Sequence, residues 1–192
     1  MKVAKIVAAL VLAATAGIAS AQGYTEFQYY NEENRNTHAD NMKLGVVVGT
    51  KTVDKWDYSL KFETSQAELG NGSIGQSVEG RVKKSFDAGF LGLKPYVGVR
   101  LGEKISSSQN FSYYAVDVGT KFPIIGDLSG DVGYRYRNSF NTTDYDFQSN
   151  RYHVAVAYAI TKNDSIAVRY SQAYGAASEE KNSWRLAYSH SF

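Results

Sequence analysis

The chain has 192 residues, enough for one domain, and it is rich in tyrosine (15), phenylalanine (9) and glycine (17) with only 2 prolines. It contains no cysteine, which excludes disulfides, cysteine-based zinc sites and catalytic thiols. The charge is nearly balanced, with 21 lysines and arginines against 19 acidic residues. Past the N-terminus no apolar run approaches the roughly 18 residues of a transmembrane helix, so a membrane protein with this sequence would span as a barrel.

The N-terminus has the pattern of a secretory signal peptide. A short positive region is followed by an apolar run from Ile6 to Ile18 and by the small-residue cleavage site Ala19-Ser20-Ala21. A single membrane anchor is the alternative, but the apolar run is short for one. We therefore predict a signal peptide over residues 1–21 and one exported domain over residues 22–192.

The predicted domain consists of strands, because bulky and polar side chains alternate with a period of two. The clearest case runs from Leu91 to Gly102, where leucines, valines and Pro95 alternate with glycines and charged residues. Pro95 cannot donate a ladder hydrogen bond, so we expect it near the start of its strand. The predicted strands are Tyr24–Tyr30, Asn41–Thr50, Trp56–Gln66, Gln76–Phe86, Leu91–Gly102, Phe111–Phe122, Leu128–Asn138, Ser149–Ile160, Ser165–Tyr174 and Trp184–Phe192.

Longer polar connections, beginning with a loop over Asn31 to Asp40, alternate with short turns such as Pro123 to Asp127. This rhythm predicts an all-β fold, a transmembrane antiparallel up-and-down barrel of about ten strands, with eight or twelve as alternatives and both ends on one side. A soluble sandwich or lipocalin-like barrel would keep its apolar face inside. The other face here carries too many arginines and lysines for a dry core.

The last strand places Trp184, Leu186, Tyr188 and Phe192 on one face. It resembles the closing strand of small Gram-negative outer-membrane barrels, whose terminal phenylalanine is read by the barrel assembly machinery. The resemblance implies an outer-membrane location, contact with the lipid bilayer and lipopolysaccharide, and assembly through the Phe192 strand. We expect a monomer in which Trp56, Trp184, Tyr188 and Phe192 serve the membrane girdle and assembly.

Basic residues outnumber acidic ones on the predicted lumen face. Because the guanidinium fork matches carboxylate and phosphate groups and stays charged, such a wall favours small anions. In a narrow barrel the same charges could instead form a salt-bridged plug, and the sequence leaves both possibilities open. The predicted anion path is Arg81, Lys94, Arg100, Arg135, Arg137, Arg151, Arg169 and Arg185.

The back half also resembles the oligogalacturonate-specific porin family, through Asp127-Leu128-Ser129, the stretch Tyr134-Arg135-Tyr136-Arg137 and the Ser191-Phe192 ending. The resemblance implies a narrow barrel whose arginines line a path for acidic oligosaccharides, and Arg135 and Arg137 are the matching positions. That family has twelve strands, whereas about ten are counted here. The hypothesis is a narrow porin-like channel for small acidic solutes, and the alternative is a closed barrel with a structural, envelope-integrity or surface-interaction role.

Enzymatic chemistry finds little support in the sequence. There are 3 histidines, and His38 with Asp40 in the predicted first loop is the sole candidate pair above the membrane. Metal-ligand spacing and cofactor motifs are absent, and the compartment excludes nucleic acid. We therefore predict a protein that is not an enzyme, with no catalytic residues, metal or cofactor. Loop acids such as Glu32 and Glu33 are interpreted as solvated surface.

Overall fold

The structure, a computed structural model, describes residues 21–67, 74–105, 110–140, 148–175 and 180–192. The predicted signal peptide lies outside this part of the chain except for Ala21. The described residues form a closed barrel of ten antiparallel strands in up-and-down order, which confirms the predicted fold class and strand count. The strands are β1 Gln22–Asn34, β2 Ala39–Lys51, β3 Trp56–Ala67, β4 Ile74–Ser85, β5 Lys94–Ile105, β6 Asn110–Ile125, β7 Leu128–Ser139, β8 Ser149–Ala159, β9 Asp164–Gly175 and β10 Glu180–Ser191.

The outer face of the barrel is apolar and the inner face is polar or small. In β5 Val97 and Val99 are 41% and 53% exposed, whereas Tyr96, which precedes Val97 and points to the opposite face, is buried. In β8 Val154 is exposed and its neighbour Ala155 is buried. A soluble protein would bury the valines, so this inversion indicates a barrel whose outer face meets lipid.

The barrel has two distinct ends. The connections 52–55, 86–93, 126–127 and 160–163 lie at the end that carries Gln22 and Ser191, which we call the turn end. The opposite end, at which β1, β3, β5, β7 and β9 terminate, is called the loop end. In the part of the chain that the structure describes, no helix is long and apolar enough to cross a membrane.

The first loop is shorter than predicted. We expected a loop over Asn31 to Asp40, but β1 and β2 pair through these residues, from Glu32 opposite Asn41 to Asn34 opposite Ala39. The connection is residues 35–38 only. Polar side chains do not end a strand when both neighbouring strands supply ladder partners, and β10 pairs with β1 up to Asn34 as well.

The start of β5 also differs from the prediction. Leu91 and Gly92 have φ angles of 51° and 66°, which belong to the left-handed region and cannot continue a strand. They form part of the connection 86–93, and β5 begins at Lys94. Pro95 is therefore the second residue of its strand, which confirms the expectation that it lies near the strand start.

The turn between β6 and β7 is tighter than the predicted Pro123 to Asp127. Strand β6 continues to Ile125 through a register shift between Pro123 and Ile125. The connection is the two residues Gly126 and Asp127, and Gly126 has a φ of 55°. A bulge accommodates the missing proline N–H, and glycine accommodates the left-handed turn position.

The two tryptophans lie on the outer face at different heights. Trp56 is the first residue of β3, at the turn end, and its ring stacks on Tyr58 with centroids 6.2 Å apart. Trp184 is 57% exposed and packs against Tyr170, with centroids 4.9 Å apart, nearer the loop end. These positions suit interfacial aromatics at the two rims.

Tyr188 and Phe192 lie on the outer face at the turn end of β10. The Tyr188 hydroxyl donates to Asp164 Oδ1 at 2.6 Å. The Phe192 backbone N–H donates to the carbonyl oxygen of Gly23 at 3.0 Å, while its ring is 71% exposed. The C-terminal residue thus joins the seam at which β10 closes the barrel against β1.

Candidate functional site: the charged interior of the barrel

The interior of the barrel contains a cavity of about 280 Å³ that is lined by residues of all ten strands. The lining extends from Lys51 near the turn end to Lys43 and Ser149 near the loop end. At about 30 Å³ for each water molecule, the volume corresponds to roughly nine waters. The interior is therefore a narrow polar space along the barrel with room for water.

The walls of this cavity carry an excess of positive charge. Twelve basic and six acidic side chains line it, which leaves an excess of six positive charges with neutral His153. The lining acids are Glu26, Asp57, Glu63, Glu79, Asp117 and Asp131, and the lining bases are Lys43, Lys51, Lys61, Arg81, Lys83, Arg100, Lys121, Arg135, Arg137, Arg151, Arg169 and Arg185.

All seven arginines of the predicted anion path therefore line the cavity, but the lysine predicted with them is placed differently. Lys94 has the inward parity of its strand, yet it is exposed at the start of β5 and is not among the lining residues. Its charge acts on Asp87 in the neighbouring connection. Alternation predicts which face of the sheet a side chain is on. A residue at the end of a strand can have inward parity and still lie outside the enclosed lumen, as Lys94 does.

The central ion pairs run along the wall from strand to strand. Arg100 on β5 contacts Glu79 on β4 at 2.5 Å and Asp117 on β6. Asp117 also accepts a hydrogen bond from Arg135 Nε on β7 at 2.7 Å. Since each partner belongs to an adjacent strand, this row of four charges reinforces the wall without crossing the lumen.

A second group of contacts lies closer to the turn end. Asp57 contacts Arg81 at 3.1 Å and Lys83 at 3.2 Å, and it accepts a hydrogen bond from the Tyr24 hydroxyl at 2.9 Å. Asp57 is 5% exposed and is fully surrounded by these donors. A buried carboxylate with three such partners stays ionised.

Asp131 has a similar environment on β7. It contacts Arg169 at 3.2 Å and accepts a hydrogen bond from the Tyr96 hydroxyl at 2.9 Å. His153 Nε2 lies 3.2 Å from the same carboxylate and 3.3 Å from the Tyr96 oxygen. Tyr96 on β5 thus reaches over β6 to β7 and β8, and narrows the lumen on that side.

One ion pair spans the interior near the loop end. Arg151 on β8 contacts Glu32 on β1 at 3.1 Å, and Glu32 also contacts Lys43 at 2.9 Å. We predicted Glu32 as a solvated loop acid, and that prediction is wrong, because β1 extends past it and its side chain is 7% exposed. The missed signal is that the alternation of β1 continues inward through Gln28 to Glu32.

Arg137 stands apart from the other lumen arginines. It is the one lumen arginine with which no acidic side chain of the described residues pairs, and its Nε atom, like those of Arg81, Arg169 and Arg185, is buried without a hydrogen-bond partner. Its guanidinium lies 5.5 Å from the centre of the Tyr113 ring. Arg137 therefore presents an uncompensated charge to the cavity near the loop end.

Among the residues that the structure describes, the histidines form no catalytic arrangement with a nucleophile. His38 is exposed and lies 3.4 Å from Glu33 rather than beside Asp40, with which we had paired it. His190 contacts Asp164 at 2.8 Å at the turn end. Within the described ranges, no group of histidine, aspartate and glutamate side chains could hold a metal ion.

Several solved structures of bacterial outer-membrane proteins share this architecture. An outer-membrane channel from Pseudomonas putida F1 superposes with a TM-score of 0.56 and 9% identity, over 90% of this chain and 95% of that one. The β domain of the Bordetella autotransporter Brka gives 0.54 and 11%, over 90% of this chain and 100% of that one. The KdgM porin in complex with disordered oligogalacturonate gives 0.51 and 13%, over 87% and 99%. The chain has the fold of an outer-membrane β-barrel.

These identities are low, so the likeness extends to the fold alone. No family model and no curated protein sequence matches the chain. The similar structures include a channel, a porin and an autotransporter domain, and none of these three is described as an enzyme. Function must therefore be argued from the interior.

Proposed function

We propose that the protein is a narrow channel of the Gram-negative outer membrane that passes small anions. The observation that carries this proposal is the excess of six positive charges along the cavity. The central ion pairs support it as well, since they join neighbouring strands instead of bridging the lumen. The apolar outer face supports the membrane location, and the predicted signal peptide supplies the export route.

The size of the cavity limits the solute. A total of about 280 Å³ distributed along the barrel accommodates hydrated inorganic anions and small carboxylates. A chain of acidic sugars would have to displace the link between Arg151 and Glu32 and the projecting Tyr96 ring. The proposed solutes are therefore smaller than the acidic oligosaccharides that the porin resemblance implies.

The proposal can be tested by ion selectivity in planar bilayers. Replacing Arg137 by serine removes a lumen charge without leaving an acidic partner exposed, so we expect the barrel to fold and its anion preference to fall. Arg35→Ser is the matched control, because Arg35 is exposed at the loop end and pairs with Glu180 outside the cavity. An anion preference that is the same in both variants would contradict the proposal.

A closed barrel with a structural or surface-interaction role is the second candidate. The specific observation in its favour is that Arg151 and Glu32 join β8 to β1 across the interior, while Tyr96 reaches from β5 to β8. This candidate predicts a folded barrel without conductance, in which lumen substitutions change only stability. It also predicts that exchange of the loop-end connections alters cell-surface binding or envelope robustness.

The remaining proposed partners follow from the same location. The outward aromatic residues would contact the lipid bilayer, and the loop end would face lipopolysaccharide. The strand that ends in Phe192 would be recognised by the barrel assembly machinery. We propose a monomer with no cofactor.

A further inference from the structure

The turn end of the interior contains a cluster of three lysines that the arginine path does not include. Lys51 on β2, Lys83 on β4 and Lys121 on β6 all line the cavity. Lys51 is the ladder partner of Asp57 on β3, and Asp57 is in turn the ladder partner of Lys83. Lys51 and Lys121 are exposed, so the cluster is open to solvent at this end.

The acids nearby do not neutralise this cluster. Asp57 attracts Lys51, Lys83 and Arg81, and Asp131 attracts Lys121 and Arg169. Glu26 is a third carboxylate, which attracts Arg81 and Arg169, so the five cations still outnumber the acids beside them. The Lys121 ammonium group forms no ion pair or hydrogen bond with the side chains of the described residues, and it lies within repulsive range of both Lys51 and Lys83.

Two tyrosines hold the ammonium groups in place. Lys51 Nζ lies 4.8 Å from the centre of the Tyr24 ring, and Lys83 Nζ lies 5.3 Å from that of Tyr96. Hydrogen bonds of 2.9 Å to Asp57 and Asp131 fix the two tyrosines. The lysines are thus positioned before any ligand arrives, which lowers the entropic cost of binding.

Glycines opposite the tyrosine rings make this placement possible. A Cβ atom on Gly49 would lie 2.6 Å from the Tyr24 ring, and one on Gly119 would lie 2.4 Å from the Tyr96 oxygen. Any larger residue would push the rings, and the lysines above them, out of position. The local sequence therefore supports the geometry of the cluster.

Small side chains on the other side of the barrel leave room for a ligand. Ala157 pairs with Ala167 across β8 and β9, and Ser165 pairs with Ser189 across β9 and β10. All four line the cavity. The space beside the lysines is thus bounded by methyl groups and by hydroxyls that can donate hydrogen bonds.

We propose that Lys51, Lys83 and Lys121 form a binding site for a tetrahedral oxyanion such as inorganic phosphate at the turn end of the lumen. Ammonium groups act as compact point charges, and three of them around a hydrated space suit a small divalent anion. This site would lie inside the proposed anion channel. It rests on the proposed function only because a ligand needs an accessible lumen to reach the lysines.

Phosphate binding to the folded, detergent-solubilised protein tests the site by isothermal titration calorimetry. We expect saturable binding of inorganic phosphate, weakened roughly tenfold by Lys121→Gln and by Lys51→Gln through the loss of one charged donor each. Lys162→Gln is the matched control, because Lys162 is exposed in the connection 160–163 at the same end but outside the cavity lining, and this variant should bind as the unmodified protein does. Circular dichroism and heat-dependent gel mobility establish that each variant is folded.

Absence of phosphate binding by the folded protein would overturn the site, and so would equal affinities for Lys121→Gln, Lys51→Gln and Lys162→Gln. The proposed function is measured separately by conductance. Anion-selective conductance without phosphate binding would overturn the site and leave the channel standing. Phosphate binding that depends on the three lysines in a barrel without conductance would support the site and overturn the channel.

Discussion

Asp117 is the carboxylate on which the central row of ion pairs depends. It is 5% exposed and is shared between Arg100 and Arg135. Removing its charge would leave two arginines in a confined space without their common partner. Such a loss is costly because the side chains of Arg100 and Arg135 are only 10% and 22% exposed, so water can replace the lost carboxylate only in part.

We therefore expect Asp117→Asn to lower the free energy of unfolding by about 3 to 5 kcal/mol. The measurement is a denaturant titration of the barrel in lipid vesicles. Asp127→Asn is the control, since Asp127 is exposed in the turn between β6 and β7 and forms no ion pair with the described residues. Equal stability of the two variants would show that the central row does not brace the wall.

The sequence predicts which side chains face the lumen better than it predicts which of them contact one another. Alternation alone placed the seven arginines on the lumen face, because a strand turns every second side chain to one side. Alternation could not predict which charged side chains form ion pairs. Arg151 and Glu32 are 119 positions apart, and their contact depends on the stagger of all the strands between them. Glu32 and Lys51 were missed because the predicted strands ended too early, at Tyr30 and Thr50. The contacts of Tyr96 with β7 and β8 depend on the same stagger as the contact between Arg151 and Glu32.

At the scale of elements, β1 and β10 form the seam that closes the barrel. The two strands pair from Tyr24 opposite Ser191 to Asn34 opposite Lys181. The Phe192 N–H adds a further backbone hydrogen bond to Gly23 at the turn end. The terminal residue thus belongs to the seam by its backbone, while its exposed ring remains accessible for recognition.

We predict that Phe192→Ala lowers the fraction of folded barrel in cells several-fold but leaves folding into pure lipid vesicles nearly unchanged. The backbone bond to Gly23 persists in this variant, whereas the recognised ring is lost. Heat-dependent gel mobility measures the folded fraction in both settings. Phe90→Ala serves as the control, since Phe90 is 67% exposed in the connection 86–93. Equal cellular assembly of the two variants would refute a recognition role for Phe192.

Strand boundaries were predicted less well than strands. Alternation continued through Leu91 and Gly92 into a turn, because apolar residues also occur where a turn meets the membrane interface. Polarity suggested a loop over Asn31 to Asp40, where β1 and β2 extend as a paired hairpin. In both cases the backbone hydrogen bonds between strands determine where a strand begins or ends. The polarity of the side chains indicates a strand reliably only inside the hydrocarbon region.

At the scale of the whole molecule, the barrel combines an apolar exterior with a hydrated, positively charged interior. The row from Glu79 to Arg135 follows the wall, while the link between Arg151 and Glu32 spans the space. The excess of six positive charges lies along the whole cavity. If the interior conducts as proposed, such walls would repel cations and attract small anions.

The reversal potential of the unmodified protein in a planar bilayer under a potassium chloride gradient tests this account most directly. For the proposed anion channel we expect a small unitary conductance and a reversal potential whose sign shows that chloride is more permeant than potassium. A folded barrel that conducts no ions, or that prefers potassium, would contradict it.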